Sequence, residues 1–342
     1  MIEVMNVEDA VGCELAHDIT EIRAGEFKGP AFQKGHRVTC RDLDHLRRLG
    51  KDHLYVVKPE TDEMHEDDAA IAMADALCGP GVGWDEAPRE GKISLKATRD
   101  GLLKIDVNAL EQFNMLGVVM CATRHSNSIV AKGDQVGATR AIPLLIPRDR
   151  ISAALLIAGS ASRSILRVKP MMRAKAGVLI TGNEVYYGRI EDKFEPIIRK
   201  KVEALGGEVM DVRFLPDDDR LIAKAASDLV EDGANVVITT GGMSVDPDDR
   251  TRFGLKQAGA RNMVYGTPVL PGAMFMTAEL EGVPVLGIPA CGLYAENTMF
   301  DLMYPRILAG ETLTRSDIAA TGHGGLCLGC KTCTYPKCSF GK

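Results

Sequence analysis

Three short stretches of this chain combine glycines, hydroxyls and carboxylates in a way that suits phosphate chemistry. The first is Thr181-Gly182-Asn183-Glu184, followed by Gly188 and Asp192. The second is Pro216-Asp217-Asp218-Asp219, and the third runs Thr239-Thr240-Gly241-Gly242-Met243-Ser244-Val245-Asp246-Pro247-Asp248-Asp249. Glycines let a ligand approach the backbone closely, and their N–H groups at a helix start can cradle a phosphate. Carboxylates beside a phosphate would repel it unless a divalent cation lies between them. Bound Mg²⁺ is therefore expected, because it is held by a few carboxylates plus phosphate oxygens. Each acid also has a plainer use, as a helix N-cap. Capping is the better account of any one such loop, but three loops at one sheet edge favour a site.

A fourth stretch carries different chemistry. Cys327, Cys330, Cys333 and Cys338 are separated by two, two and four residues. Four thiolates so close together suit a tetrahedral Zn²⁺ or a four-iron cluster, and the repeated two-residue spacing leans toward iron–sulfur. An unligated reduced segment and a soft ion such as copper(I) stay open as alternatives. Cys13, Cys40, Cys78, Cys121 and Cys291 are scattered and read as small apolar residues. Arg124-His125-Ser126-Asn127 reads as a surface turn, Trp84 as packing for its Gly/Pro loop, and His323 as exposed. His36, His45 and His53 have spacings that match no common metal motif.

The elements that must hold these loops follow from periodicity. Val178-Leu179-Ile180, residues 208–214 and Val236-Val237-Ile238 read as strands. Amphipathic helices at 194–205 and 220–230 alternate with them, and a further helix follows the glycine pair. Strands apolar on both faces, alternating with helices, imply a parallel sheet covered on both sides. A hairpin at about 274–279 and 283–288 and a helix at 295–308 complete the domain. In such a sheet ligands lie beyond the carboxyl ends of the strands, where the three loops sit.

Upstream, the pattern predicts a turn into a strand at 32–38, a helix at 41–49 stopped by Gly50, and a strand at 54–57. An acidic, alanine-rich helix follows at Glu66–Leu77, then mostly strands from 92 to 147. A Lys-Gly turn at Lys34-Gly35 is echoed at Lys132-Gly133, which hints at two related β-rich halves. The expected organisation is a β-rich N-terminal region at 1–60 and 92–170 with a helical insert at 61–91. An α/β domain at 171–315 and a cysteine-rich metal-binding segment at 316–342 follow it.

Composition narrows the function classes. Of 342 residues 45% are hydrophobic and 26% charged, and the net charge is −6. A nucleic-acid-coating surface needs a basic stripe, and none is visible, so no nucleic-acid partner is expected. No apolar run reaches the roughly 18 residues of a spanning helix, so no membrane partner is expected. Met1 opens an acidic stretch without signal-peptide layout, and the protein is expected in the cytoplasm with its thiols reduced.

The three loops together resemble the molybdopterin-binding domain family of molybdenum-cofactor biosynthesis, which includes molybdopterin adenylyltransferases and molybdenumtransferases. The likeness covers roughly residues 172–312 and rests on Thr181 to Glu184 with Asp192, and on Thr240 to Val245 with Asp249. A fainter likeness to the transferases lies at Leu15-Ala16-His17-Asp18-Ile19, and at Lys34-Gly35-His36 followed by Asp42-Leu43-Asp44-His45-Leu46-Arg47-Arg48-Leu49-Gly50. The resemblance implies a three-layer, mostly parallel α/β fold. It implies that Glu184, Asp218 (or Asp217) and Asp249 are active-site acids. Thr181, Gly182, Asn183, Asp192, Asp217, Thr240, Gly241, Gly242, Ser244 and Asp246 would contact the pterin or nucleotide phosphates. The implied reaction exchanges the adenylate of adenylylated molybdopterin for molybdate, with magnesium. A molybdoenzyme partner and a homo-oligomer are expected on the same basis.

Departures from the family pattern are visible too. Asp246-Pro247 replaces the usual glycine after Ser-Val, and Pro289-Ala290-Cys291-Gly292 stands at the Pro-Gly-Asn-Pro turn. The transferases' Pro-Pro-Phe-Asp run is missing, and residues 62–170 read as an addition. Two other functions stay open: a cofactor sensor or scaffold for a metalloenzyme, and a hydrolase of ADP-ribose-like nucleotides.

Overall fold

In a computed structural model the described residues are 2–23, 27–57, 62–160, 164–243, 246 and 249–342. They form two compact units, one of residues 1–126 with 130–168, the other of 127–129 with 169–342. Among the described residues no helix is long and apolar enough to cross a membrane.

The first unit contains two hydrophobic cores. One, built on Leu15, Ile19, Leu46, Leu54 and Val56, lies under the antiparallel pair Ile2–Asn6 with His53–Val57 and the hairpin Ile19–Arg23 with Phe27–Phe32. The expected turn into a strand at 32–38 is reversed. The strand comes first, at Phe27–Phe32, and the turn follows at Lys34-Gly35. The expected helix is present at Leu43–Arg48. His36 and His45 are tied to carboxylates, Asp42 at 2.8 Å and Glu21 at 3.2 Å.

The second core packs the helix Glu66–Leu77 against a sheet ordered Val82–Gly83, Lys92–Ala97, Gln135–Ala141, Val119–Thr123. Ala69, Ala70, Met73, Ala74 and Leu77 recur at helical spacing and are fully buried. Trp84 packs on this core and donates its indole N–H to Asp75 at 2.9 Å. Cys78 and Cys121 behave as apolar residues, burial pushing both thiols up to about 12. Arg124 to Asn127 form a turn, with Arg124 paired to Asp134 at 3.0 Å.

The stretch 92–170 is less β-rich than expected, since it contains helices at Val107–Asn114 and Arg148–Ser160. The first is fixed by Asp106, whose carboxylate accepts from Ala109 N at 3.0 Å. In the second, apolar residues lie on several sides, so the sequence offers little helical period to read.

The second unit is built on a six-stranded sheet. Its order is Glu208–Leu215, Lys175–Thr181, Val236–Thr240, Val283–Ile288, Met276–Leu280, Arg261–Tyr265. The first four run parallel, and Met276–Leu280 runs antiparallel to both of its neighbours. Side chains alternate between the faces. Val178, Ile180, Val236 and Ile238 enter one core with helices Phe194–Glu203 and Met299–Leu308. Leu179 and Val237 enter the other with helices Asp219–Glu231 and Thr251–Gln257. Burying each large side chain such as Ile222 or Leu229 contributes about 1.5–3 kcal/mol. This is the three-layer, mostly parallel arrangement anticipated from the alternation of strands and helices. The edge strand Arg261–Tyr265 was not foreseen. The last long helix starts only at Met299, where Thr298 and Asp301 form a capping box.

A further helix, Arg315–Ala320, ties the cysteine segment to this unit. Buried Arg306 reaches Glu311 and Asp317 at 2.8 and 2.7 Å. Burial alone would raise the Asp317 carboxyl, but the Thr314 hydroxyl and the Arg306 guanidinium outweigh it and hold it at about 2. The folded value lies below the ordinary carboxylate value of roughly 3.9. The pair's stabilisation is therefore complete above about pH 4 and lost as pH falls toward 2. Asp317→Asn is expected to lower the unfolding midpoint at pH 7 and to flatten its dependence between about pH 4 and 2. Acid titrations followed by circular dichroism check this.

Candidate active site

The three loops meet at the carboxyl ends of the parallel strands and are tied together by hydroxyls and carboxylates. Thr181, at the end of its strand, is buried. Its Oγ1 lies 2.7 Å from Thr251 Oγ1 and 3.1 Å from the carbonyl of Thr240. Thr251 Oγ1 in turn lies 3.0 Å from the carbonyl of Gly241. Two hydroxyl protons serve these three contacts, so whichever way they point, the glycine loop is pinned to the first strand.

That pinning brings the backbones very close. A Cβ on Gly241 would sit 1.8 Å from the Thr181 carbonyl oxygen, and one on Gly242 2.5 Å from Thr251 Oγ1. Both glycines have positive φ, at 82° and 52°. Only glycine fits here.

The second loop clasps the first. Asn183 N donates to the Asp217 carboxylate at 3.0 Å, and Asp217 N lies 3.4 Å from Asn183 Oδ1. Asp218 turns the other way. Its Oδ1 accepts from Arg220 and Leu221 amides at 2.9 and 3.0 Å, capping the helix Asp219–Glu231. Asp219 forms a bidentate pair with Arg250, Oδ1 to Nε at 2.8 Å. The second loop thus spends its acids on holding the first and third loops and starting a helix.

The cleft between these loops measures about 1000 Å³. Thr181, Glu184, Asp192, Gly241, Gly242 and Asp249 line it. Gly182, Asn183, Asp217, Asp218, Thr240 and Asp246 do not line it and stand behind or beside it. Thr240 is buried, and its Oγ1 has no hydrogen-bond partner among the described residues. Asp192 lines the cleft while capping the helix Phe194–Glu203, accepting from Phe194 N and Glu195 N at 3.0 and 2.8 Å. Asp249 accepts from Asp246 N at 2.9 Å across a tight turn. Ser244, together with Val245, Pro247 and Asp248, lies outside the described residues.

The opposite wall was not among the expected site residues. Leu270, Pro271, Gly272 and Met274 form it with Pro289, Ala290, Cys291 and Leu293. Gly272 has φ 129°, and a Cβ there would meet Met299 N at 2.7 Å. These residues supply backbone and apolar surface rather than reactive groups. The Pro289 to Gly292 turn was marked as a departure from the family pattern, but nothing in the sequence placed it or Leu270 to Met274 at the cleft. Among the described residues the lining carries Glu184, Glu191, Asp192 and Asp249 against a single basic residue, Lys193. No three His, Cys, Asp or Glu side chains converge as a group for one ion among the described residues.

The four cysteines come together around a separate hollow of about 450 Å³. Cys330 and Cys333 are exposed and Cys327 and Cys338 half-buried, while His323 is exposed.

With this geometry, the likeness to known proteins becomes specific. The family described as "Probable molybdopterin binding domain" matches residues 177–309, and a domain of unknown function, DUF8806, matches residues 4–58. A molybdopterin molybdenumtransferase of Haemophilus influenzae is 28% identical over 318 residues, 89% of this chain and 72% of that protein. One from Synechococcus elongatus is 25% identical over 188 residues, 52% of this chain and 46% of the relative. The solved structure of the molybdopterin biosynthesis enzyme MoaB from Thermus thermophilus covers 40% of this chain at 18% identity, with a TM-score of 0.35. An alignment over 89% of the chain has to pass through residues 62–170. That stretch is therefore not an addition the transferases lack, as the sequence had suggested. Residues 177–309 belong to the molybdopterin-binding domain family of molybdenum-cofactor biosynthesis.

Proposed function

We propose that the cleft binds molybdopterin, in its adenylylated form, and that the chain exchanges the adenylate for molybdate during cofactor biosynthesis. The observation that carries this reading is the glycine pair pinned under Thr181 within the same cleft as Glu184 and Asp249. Backbone N–H groups of Gly241 and Gly242 suit phosphate oxygens, while the apolar wall from Leu270 to Met274 suits the flat pterin.

The acidic lining fits a magnesium ion that arrives with the ligand. Glu184, Glu191 and Asp249 are the lining carboxylates available to it, because Asp192 commits both oxygens to backbone amides. Mg²⁺ takes one or two carboxylates and completes its shell with phosphate oxygens and water. When bound it would neutralise phosphate charge and polarise the phosphoryl group. The protein's own part is positioning. Thr181 and Thr251 fix the phosphate loop, and Asp217 holds the Glu184 loop in register.

The test uses the full chain, purified anaerobically, with adenylylated molybdopterin and molybdate. Molybdate-dependent AMP release is expected. Tight binding with no AMP release would leave a carrier or sensor, and release of ribose phosphate from ADP-ribose would favour the hydrolase.

A further inference from the structure

We propose that residues 325–340 form a binding site for a four-iron iron–sulfur cluster, held by Cys327, Cys330, Cys333 and Cys338 beside the cleft. The inference concerns the cysteine loop alone and goes beyond the reading of the cleft.

The loop is anchored as a closed unit. At its neck Gly341 N donates to Gly324 O at 3.0 Å, and Gly324 is so tightly apposed that a Cβ would lie 2.0 Å from Lys342 O. Its first residues pair with the chain at Leu270, Leu270 N donating to Gly325 O at 2.9 Å and Cys327 N to Leu270 O at 2.8 Å. Its last residues are held by Phe340, which is 3% exposed in the hydrophobic core. Between these anchors the chain has almost no regular structure, and the exposed thiols of Cys330 and Cys333 serve no packing role.

All four cysteines line one hollow of about 450 Å³. A zinc ion with Zn–S of about 2.3 Å draws its thiolates to within roughly 4 Å of one another. A single ion of that size would leave most of a hollow of about 450 Å³ unfilled. A cubane, whose irons sit at separate corners, holds its ligands farther apart and fills such a space. Asn297 Nδ2 donates to Cys333 Sγ at 3.2 Å, a contact of the kind that stabilises a thiolate and tunes a cluster. Lys331, also lining the hollow, offsets part of the anionic charge.

When a preformed cluster is transferred, each cysteine gives its proton to solvent and its sulfur displaces one thiolate of the donor from an iron. That thiolate leaves and is protonated, the irons keep their oxidation state, and no oxidant is required. Leu270 carries the bonds to the loop and lines the cleft, and Pro271 borders both cavities. Cluster occupancy therefore braces one wall of the cleft.

The full chain, purified anaerobically and reconstituted with equal amounts of ferrous and ferric iron plus sulfide, is expected to hold about four iron and four sulfide per chain. A broad visible absorption that bleaches with dithionite should accompany them. Cys330→Ser and Cys333→Ser should each lower iron content at least tenfold, while Cys40→Ser, at an exposed thiol in the first unit, should retain it. Circular dichroism of the metal-free variants separates cluster loss from misfolding, since both altered thiols are exposed. One zinc per chain without sulfide overturns the proposal. So does a full complement of free thiols after reconstitution, or a cluster that survives in the Cys330→Ser/Cys333→Ser double variant. Cluster content is read without any pterin, so a protein with four irons and no AMP release would sink the reading of the cleft and leave this one standing.

Discussion

Replacing Gly241 with alanine is expected to cost the second unit about 3–5 kcal/mol and to abolish ligand binding. The left-handed φ of 82° contributes roughly 1–2 kcal/mol of that for any residue with a Cβ. The remainder comes from the Thr181 carbonyl, which the new methyl would meet at 1.8 Å. That oxygen belongs to backbone at the end of a central strand, so it cannot swing aside as a side chain would. Gly188→Ala is the matched control. It too has positive φ, at 66°, but its Cβ would meet nothing within 4 Å, so a cost of about 1 kcal/mol is expected. Denaturant titration of both variants decides the matter. Equal losses for the two would mean that the close approach at Thr181 is not what shapes the loop.

The second large effect is expected at Glu184. Its carboxylate lines the cleft and is exposed, and the short helix Asn183–Tyr186 that carries it buries none of its residues. Glu184→Gln should therefore leave the unfolding midpoint unchanged while reducing AMP release by roughly 10²–10³-fold, as for other preorganised electrostatic groups. Asp218→Ala should behave in the opposite way. Losing the cap of helix Asp219–Glu231 should cost about 1 kcal/mol, with AMP release retained. The two variants measured side by side separate a group that meets the ligand from one that starts a helix. A large activity loss at Asp218 with stability intact would reverse these assignments.

Asp217 and Asp218 illustrate where a sequence runs out. Neighbouring identical residues after the same strand were equally good candidates for one role. Their division of labour depends on which amides lie nearby. Asn183 N comes from a loop 34 residues away and engages Asp217, whereas the start of the local helix engages Asp218. The wall opposite was hidden for a related reason. Leu270, Pro271 and Cys291 have no chemical signature, and they become a site only when two distant loops are folded against the glycine pair.

The helix Arg148–Ser160 failed to announce itself because small and branched apolar residues surround it, so neither a two- nor a 3.6-residue period dominates. By contrast Glu66–Leu77 was legible to the residue, since five buried side chains recur on one face. The parallel sheet was legible for the same reason. Strands such as Val236–Thr240, buried on both faces, leave a continuous apolar run that helices must cover.

What the sequence by itself determined, then, is everything governed by neighbours along the chain. That includes the order of strands and helices in the second unit, the placing of the glycine loops at strand ends, and the spacing of four thiols. The tertiary structure alone decided which carboxylates face the cleft, what forms its apolar wall, and that the four cysteines line one hollow beside it. Those outcomes rest on contacts between residues far apart in sequence, whose distances are fixed only when the sheet and its helices close around a common core.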